Sequence, residues 1–352
     1  MLTVINLNEF DKWDSIVRSF ENYDVYYLPG YTKAFKLHGD GEPTLVYFQN
    51  QEMRAINVVM IRDIEKDINF KGKINSNNIF DIITPYGYGG FILEGTINEK
   101  NLDIMNLEYS NFCNSRNIVS EFTRFHPIIS NSDINNRIYK IVDLGKTITM
   151  DLISKEQIWN GLSSKNRNVI RKAIKSGVKI FWGRYPSLID EFVPLYNSIM
   201  DKDKAADYYY FNVDFYKSML EDLKYNSLVF YASYDKKIIS MAYIIFANNK
   251  MHYHLSASDR KYQHLAATNL LLYETACWGC ENGYKSFHLG GGLGSEEDNL
   301  YKFKKAFNKN SETRFSIGKK IFNQKKYKEL MEIRAYDVLD ENKRDFFPEY
   351  RR

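Results

Sequence analysis

The residues best placed to do chemistry lie in one continuous stretch, His252–Gly292. Its pattern predicts a strand, a polar loop, one long helix and a second strand that ends on three glycines. Where two strands end beside the N-terminus of one helix, free backbone N–H groups and the helix dipole point into the cleft between them. The stretch therefore predicts a site for a ligand with anionic or carbonyl oxygens.

The first predicted strand of this stretch carries a histidine that could act on a proton. Strict alternation places His254 and Ser256 on one face with His252, whereas Tyr253 lies on the other face. A histidine pKa is close to the operating pH, so His254 could take the proton of an attacking amine. Ser256 and Ser258 could hydrogen-bond to the same substrate. A buried histidine that only stabilises the sheet is the alternative.

The glycines at the end of the second strand, Gly290, Gly291 and Gly292, could be mistaken for a dinucleotide loop. They lack the G-x-G-x-x-G spacing, so they indicate instead that backbone and substrate approach closely. Cys277 and Cys280 lie inside the predicted helix and have no second cysteine pair, so we expect no metal site.

Composition and charge narrow the class of protein. The 352 residues are 44% hydrophobic and 26% charged, which excludes a disordered chain, and they suffice for about two domains. The overall net charge of +4 is too small to indicate binding to nucleic acid, and we expect no stable DNA binding. Residues 157–189 nevertheless carry seven basic residues and no acid, and residues 302–328 carry ten basic residues and one acid. Each run could face phosphates or an anionic membrane, or could be a solvated helix face.

The sequence predicts a cytoplasmic protein. Its N-terminal residues lack the layout of a signal peptide, and no apolar run approaches the roughly 20 residues that span a bilayer. Three cysteines are too few for a disulfide framework.

An internal repeat predicts the architecture. Each half of the chain reads as a hairpin, a strand, a helix and a strand, with the helices near residues 102–115 and 269–281. Between the halves, Ser163 or Ser164 can cap a helix that Gly177 can end. This order favours an α+β fold with mixed, mostly antiparallel sheets flanked by helices.

Four motifs, in this order, resemble the GNAT acyltransferase fold and its Fem-type branch. They read NRNVIRKAIKSGV, YHLSAS, TNLLLYETACWGCENGYKSFHLGGG and YKFKKAF. That branch contains the aminoacyltransferases of peptidoglycan cross-bridges and many related acyltransferases. The resemblance implies two tandem GNAT-like acyl-CoA N-acyltransferase domains. Residues 1–150 with 312–352 would form the acceptor side, and residues 151–311 would hold the acyl-transfer site.

The resemblance implies that an amine of a large acceptor attacks an activated acyl carbonyl, with acyl-CoA or aminoacyl-tRNA as the donor. The superfamily binds pyrophosphate with an Arg/Gln-x-x-Gly-x-Gly/Ala loop, which aligns here with Gln263–Thr268. Ala and Thr replace the glycines, and each added Cβ hinders close approach of a phosphate. Pro85–Gly90 lies where the cross-bridge enzymes show Arg-Gly-Pro, and this departure slightly favours acyl-CoA. The expected donor-binding residues are Gln263, Ala266, Ala267, Thr268 and Asn269.

The resemblance also implies roles for single residues. Phe303 and Lys304 match a Phe-Lys pair that serves the chemistry of the cross-bridge enzymes, where a fixed cation would stabilise the developing oxyanion. A solvated lysine on a basic helix is the alternative. Further candidates for substrate binding, each with a structural alternative, are Arg167, Arg171, Tyr208, Ser256, Ser258, Tyr86, Gly290, Gly291 and Gly292.

Together these patterns predict an acyltransferase that moves an acyl or aminoacyl group onto an amine of a cell-envelope precursor. We expect no permanently bound cofactor and no metal. An aminoacyl-tRNA-dependent transferase, with the basic runs forming one surface that contacts tRNA, and a non-catalytic binding protein on the same fold stay open. A peripheral contact with the inner membrane surface stays open too.

Overall fold

A computed structural model describes residues 1–74, 78–311, 313–334 and 346–352. The strands are β1 (Leu2–Asn6), β2 (Glu42–Gln49), β3 (Met53–Asp63), β4 (Phe80–Ile83), β5 (Ile92–Gly95), β6 (Ile118–Arg124), β7 (Lys140–Asp151), β8 (Lys179–Gly183), β9 (Ser227–Tyr234), β10 (Lys237–Ala247), β11 (Lys250–Ser258), β12 (Ser286–Gly290) and β13 (Thr313–Ile321). The α-helices are α1 (Phe10–Arg18), α2 (Pro29–His38), α3 (Glu99–Ser115), α4 (Lys155–Gly161), α5 (Ser164–Lys175), α6 (Pro186–Lys202), α7 (Val213–Glu221), α8 (Ala267–Glu281), α9 (Asn299–Lys305) and α10 (Gln324–Arg334).

The chain divides into two compact units, residues 1–144 with 315–352 and residues 145–314. Both divisions fall inside strands, β7 and β13. The sequence analysis placed them at residues 150/151 and 311/312, and residue 312 lies outside the described residues.

Local sequence signals explain why the elements begin and end where they do. Ser163 caps α5, because its hydroxyl accepts a hydrogen bond from the Asn166 N–H at 3.2 Å, and Gly177 follows the helix with φ +86°. The turn between β9 and β10 places Asp235 and Lys236 at positive φ, as tight hairpins require. The predicted cap, stop and hairpin are thus confirmed.

The first unit contains a sheet in the order β1-β2-β3-β4-β6-β13, with β5 paired to β3. Helix α3 connects β4 to β6, which run parallel. The C-terminal segment contributes Tyr350, which is fully buried, and Arg351, whose Nε lies 2.5 Å from Oδ2 of the buried Asp81. Arg62 contacts the same carboxylate at 2.9 Å. The last residues of the chain are therefore anchored in the core of this unit.

The second unit contains a sheet in the order β7-β12-β11-β10-β9-β8. Helix α8 connects β11 to β12, which is again a parallel pair, whereas the other strand pairs of this sheet are antiparallel. Its core cluster includes Ile170 from α5, Leu271 from α8 and Phe307 beyond α9. The predicted α+β class, with mostly antiparallel sheets flanked by helices, is confirmed.

Among the residues that the structure describes, no helix combines the length and the apolar character needed to cross a membrane.

Candidate active site

In the second unit, β11 and β12 diverge and open a cleft. They pair only from Lys250↔Ser286 to His252↔His288, although β11 continues to Ser258. A β-bulge at His254 accompanies this divergence, because Tyr253 pairs with Ile244 and Leu255 pairs with Tyr243. A bulge bends its strand and re-aims the side chains that follow it. The cleft thus begins where pairing between the two strands ends.

The bulge changes the predicted alternation, because its pairing places Ser256 on the face of Tyr253 rather than on that of His252. Burial, with a smaller contribution from the nearby His252, lowers the pKa of His254 to about 3. His254 is therefore neutral at physiological pH and a weak proton acceptor. Tyr253, which the sequence analysis assigned to the opposite face, contacts the cavity of this unit instead.

The N-terminus of α8 is open. Its N-cap residue is Ala266, which has φ +52° and no side-chain oxygen that could accept from the first-turn N–H groups. The superfamily pattern has glycine at this position, and Ala266 keeps the left-handed conformation that glycine favours. In the first unit, Asn98 caps the corresponding helix α3 by accepting from the Asn101 N–H at 2.9 Å. Backbone N–H groups are therefore available for an anion at α8, where no side chain caps the helix.

The open turn faces a cavity of about 960 Å³. Its walls come from α5, from the ends of β10 and β11 with the loop that follows, from the first turn of α8 and from α9. The lining residues are Ser163, Lys165, Asn166, Val169, Ile239, Tyr253, Ser258, Asp259, Arg260, Tyr262, Gln263, Ala266, Ala267, Thr268, Asn269, Asn299, Lys302, Phe303 and Ala306.

Buried Asn166 ties three of these walls together. Its Oδ1 accepts a hydrogen bond from Nδ2 of Asn269 at 2.8 Å, which joins α5 to α8. Its own Nδ2 donates to the Ala306 carbonyl at 3.2 Å, and the Ser163 N–H donates to the same carbonyl at 2.9 Å. A buried amide with these partners holds the helices in one arrangement. The cavity is therefore preformed.

Helix α9 separates the predicted Phe-Lys pair onto two faces. Asn299, Lys302, Phe303 and Ala306 follow a helical stripe that lines the cavity. Lys304 points elsewhere, and its Nζ donates to the Gly291 carbonyl at 2.6 Å. Burial lowers the pKa of Lys304 to about 8, and the Asp298 carboxylate opposes part of this shift. Lys304 is thus a half-buried cation at the carboxyl end of β12.

The glycines after β12 hold this lysine and the start of α9 in place. A Cβ at Gly292 would overlap the Glu296 carbonyl and the Asp298 carboxylate. That carboxylate caps α9 through the Tyr301 N–H at 2.8 Å. Gly290 has φ +79°, a conformation that favours glycine. These close contacts explain the glycines at Gly290 and Gly292 without a nucleotide.

The remaining predicted site residues lie outside the cavity lining. Arg167 donates to the Leu162 carbonyl at 2.8 Å, which uses part of its guanidinium within the fold. Arg171 donates to Asn168 at 3.1 Å and lies over the Trp159 ring at 5.0 Å. Tyr208 is exposed beside the ring of Tyr209. Ser256 is half-buried on β11.

Tyr86, in the first unit, belongs to a packed turn. Its ring stacks on Phe35 at 5.5 Å, and its carbonyl accepts from the Tyr31 hydroxyl at 2.5 Å. A Cβ at Gly87 would overlap the Tyr26 ring. Of the predicted catalytic, substrate-binding and donor-binding residues, the cavity brings together Phe303, Ser258, Gln263, Ala266, Ala267, Thr268 and Asn269.

Sequence reasoning missed Lys165, Asn166, Tyr253 and Lys302. The spacing of Lys302 relative to Phe303 and Ala306 was a usable signal, because these positions share one helix face. Asn166 gave no signal of its own, because its partners come from distant parts of the chain.

Comparison with known families finds a match inside the second unit. The profile described as "Acetyltransferase (GNAT) domain" matches residues 164–305, about two fifths of the chain. These residues contain the open turn of α8, Phe303 and Lys304. The predicted membership of the GNAT superfamily and the predicted class of enzyme, an acyltransferase, are confirmed. No curated protein sequence matches the chain.

Solved structures with the same fold cover both units. FemX is 14% identical, with a TM-score of 0.68 over 93% of this chain and 99% of FemX. A structure described as "C-terminal Domain (DUF2156) of Putative Lysylphosphatidylglycerol Synthetase" from Agrobacterium fabrum is 13% identical, with a TM-score of 0.55 over 89% of this chain and 92% of its own. A conserved protein of unknown function from Bacteroides thetaiotaomicron is 12% identical, with a TM-score of 0.55 over 91% of this chain and 100% of its own. The fold is that of the Fem-type proteins.

The αL alanine at the start of α8 leads to a stability prediction. An alanine in this conformation is strained by roughly 1–2 kcal/mol, whereas glycine adds about 0.4–1 kcal/mol of unfolded-state entropy. We therefore expect Ala266→Gly to raise the free energy of unfolding by about 0.5–1 kcal/mol, as measured by urea denaturation. Ala206→Gly, at an exposed position with φ −64°, is the matched control, and it should lower the free energy of unfolding because alanine is unstrained there. Equal losses in both variants would contradict the αL assignment.

Proposed function

We propose that this acyltransferase moves an acyl or aminoacyl group from acyl-CoA to an amine of a nucleotide- or lipid-linked cell-envelope precursor. One observation carries the proposal. The uncapped first turn of α8 opens into a cavity of about 960 Å³ beside the diverging ends of β11 and β12. Backbone N–H groups at a helix N-terminus suit a diphosphate. A donor seated there can extend its acyl end toward the cleft between the strands.

The chemistry needs one bond formed and one broken. The acceptor nitrogen attacks the thioester carbonyl and forms the C–N bond. The C–S bond then breaks, and the leaving thiolate takes up the proton that the amine loses and departs as the thiol of coenzyme A. Negative charge develops on the carbonyl oxygen between these events. Lys304 carries two N–H groups beyond the one that Gly291 accepts, so it can stabilise this charge at the end of β12. Neutral His254 contributes polarity rather than a proton-accepting base.

The class of acceptor is supported by the fold relatives. One of them is named for lysylphosphatidylglycerol, which is an aminoacylated phospholipid. The predicted envelope precursor agrees with that chemistry, in which an amino acid is joined to a large anionic acceptor. Among the predicted substrate-binding residues, Ser258 lines the same cavity as the loop of Gln263–Asn269.

An aminoacyl-tRNA donor is the second candidate, and one observation favours it. Lys165 belongs to the first basic run and Lys302 to the second, and both line the same cavity. The two runs therefore meet at the proposed donor site, as a phosphate backbone would require.

Calorimetric titration with acetyl-CoA, and separately with an aminoacyl-tRNA mixture, tests the donor. We expect micromolar affinity for acetyl-CoA and a loss of at least about tenfold in Ala267→Glu, because the new carboxylate would repel phosphate at the first turn of α8. Ala206→Glu, outside the cavity, is the matched control and should bind as the wild type does.

Binding only to aminoacyl-tRNA, weakening steeply with salt, would replace acyl-CoA by the second candidate. If neither donor bound, the interpretation as a non-catalytic binding protein would be favoured.

A further inference from the structure

Two exposed lysines line the donor cavity, where a ligand can reach their ammonium groups. Four charged side chains line the cavity: Lys165, Asp259, Arg260 and Lys302. Arg260 pairs with Asp203 at 3.0 Å, and Asp259 accepts from the Lys261 N–H at 2.9 Å. Within the described ranges of the chain, neither lysine side chain has a hydrogen-bond or ion-pair partner. Both lysine side chains are exposed, and the Asp259 carboxylate lines the same cavity without an ion-pair partner among the described residues. The cavity thus presents two ammonium groups that are not used by the fold, together with one carboxylate.

The neighbouring cations on the same helices are used differently. On α9, Lys304 donates to Gly291, and Lys305 donates to the Ser311 carbonyl at 2.6 Å. On α5, Arg167 donates to the Leu162 carbonyl. Each of these groups serves the fold, whereas Lys165 and Lys302 face the cavity. All five residues belong to the two basic runs, so what distinguishes the two cavity lysines from the other three is their position on the helices.

The backbone brings the two lysines to adjacent points of one wall. The Ala306 carbonyl accepts from the Ser163 N–H at 2.9 Å. Lys165 lies two residues beyond Ser163 in the first turn of α5, and Lys302 lies one helical turn before Ala306. The Asn166–Asn269 hydrogen bond joins this wall to the first turn of α8. A ligand with a phosphate at α8 therefore has a second anionic position within its reach.

We propose that Lys165 and Lys302 form a second phosphate subsite, distinct from the open turn of α8, which binds the ribose 3′-phosphate of a coenzyme A donor. This inference rests on the proposed acyl-CoA donor. Coenzyme A carries a diphosphate and a separate phosphate on its ribose, and a dianionic phosphate is the natural partner for two ammonium groups. A donor with one phosphate, such as a protein-bound phosphopantetheine, would leave both lysines without a partner.

Paired titrations of the full chain with coenzyme A and 3′-dephospho-coenzyme A, at low ionic strength, test the subsite. We expect the wild type to prefer coenzyme A by about tenfold. In Lys165→Ala/Lys302→Ala the ratio should fall to about 1, while the affinity for the dephosphorylated ligand stays within about twofold. Lys172→Ala, on the exposed side of α5, should keep the wild-type ratio. Higher salt should lower the wild-type preference.

Equal affinities of the wild type for the two ligands, or a preference that persists in the double variant, would overturn the subsite and leave the proposed donor standing. If neither ligand bound, the subsite and the acyl-CoA donor would fail together. Binding of tRNA that depends on the two lysines, without a preference for coenzyme A, would also overturn the inference.

Discussion

Replacing Lys304 by alanine is expected to lower kcat about 10²–10³-fold, the usual effect of removing one preorganised donor from a developing oxyanion. The KM for the acceptor should change by less than about threefold, since the interaction strengthens only in the transition state. The ammonium lies at the carboxyl end of β12, where its bond to the Gly291 carbonyl fixes its direction. Steady-state kinetics with acetyl-CoA and an amine acceptor measure both constants.

The pH profile separates this role from a structural one. Burial lowers the pKa of Lys304 to about 8, so the group loses its charge as the pH rises through that value. The kcat, to which the charged form of Lys304 contributes, should therefore fall as the pH rises through about 8. Lys304→Arg keeps the charge, and we expect this falling limb to move to higher pH. Lys309→Ala, at an exposed position nearby, is the control, and unchanged turnover in Lys304→Ala would remove Lys304 from the mechanism.

Asp81→Asn is expected to lower the free energy of unfolding by about 3–5 kcal/mol, because it removes a buried carboxylate that holds two half-buried arginines. Among the described residues, only Arg351 of these two keeps a second partner, Asp67. Asp81 is fully buried and accepts from two arginines, Arg62 at 2.9 Å and Arg351 at 2.5 Å. The Tyr350 hydroxyl donates to the same carboxylate at 3.1 Å. The substitution would loosen the C-terminal segment as well as β4. Urea denaturation of both proteins measures the difference.

The sign of the pH dependence follows from the pKa of Asp81. Burial raises this pKa, but the charges and hydrogen bonds of Arg62 and Arg351 lower it by more than burial raises it. The pKa of Asp81 therefore lies below its ordinary value. Its stabilisation is therefore present above the unfolded-state pKa and is lost as the pH falls through the folded-state pKa. The difference between wild type and Asp81→Asn should shrink in acid.

The exposed pair of Asp103 and Arg137, with a shortest contact of 3.1 Å, provides the control. Asp103→Asn should lower the free energy of unfolding far less than Asp81→Asn does, since exposed ion pairs are screened by water. Equal losses in the two variants would show that Arg62 and Arg351 find other partners.

Much of the fold could be predicted because its signals are local. The hairpin turn at Asp235, the cap at Ser163 and the strand-helix-strand unit around α8 each depend on residues close in sequence. The GNAT resemblance added the order of the elements. The residues expected to bind the donor, Gln263–Asn269, lie close together for the same reason, since they are continuous along the chain and form one wall of the cavity.

The sequence by itself determined that the helix after Gln263–Ala266 would begin without a capping side chain, because that loop is continuous along the chain. Only the tertiary structure decided which cations face the cavity. Lys302 and Lys304 are two residues apart, and their surroundings differ because α9 presents Lys302 to the cavity and Lys304 to the Gly291 carbonyl. Ser256 left the face of His252 because a bulge formed where β11 departs from β12. Such choices depend on partners far along the chain, and no local pattern records them.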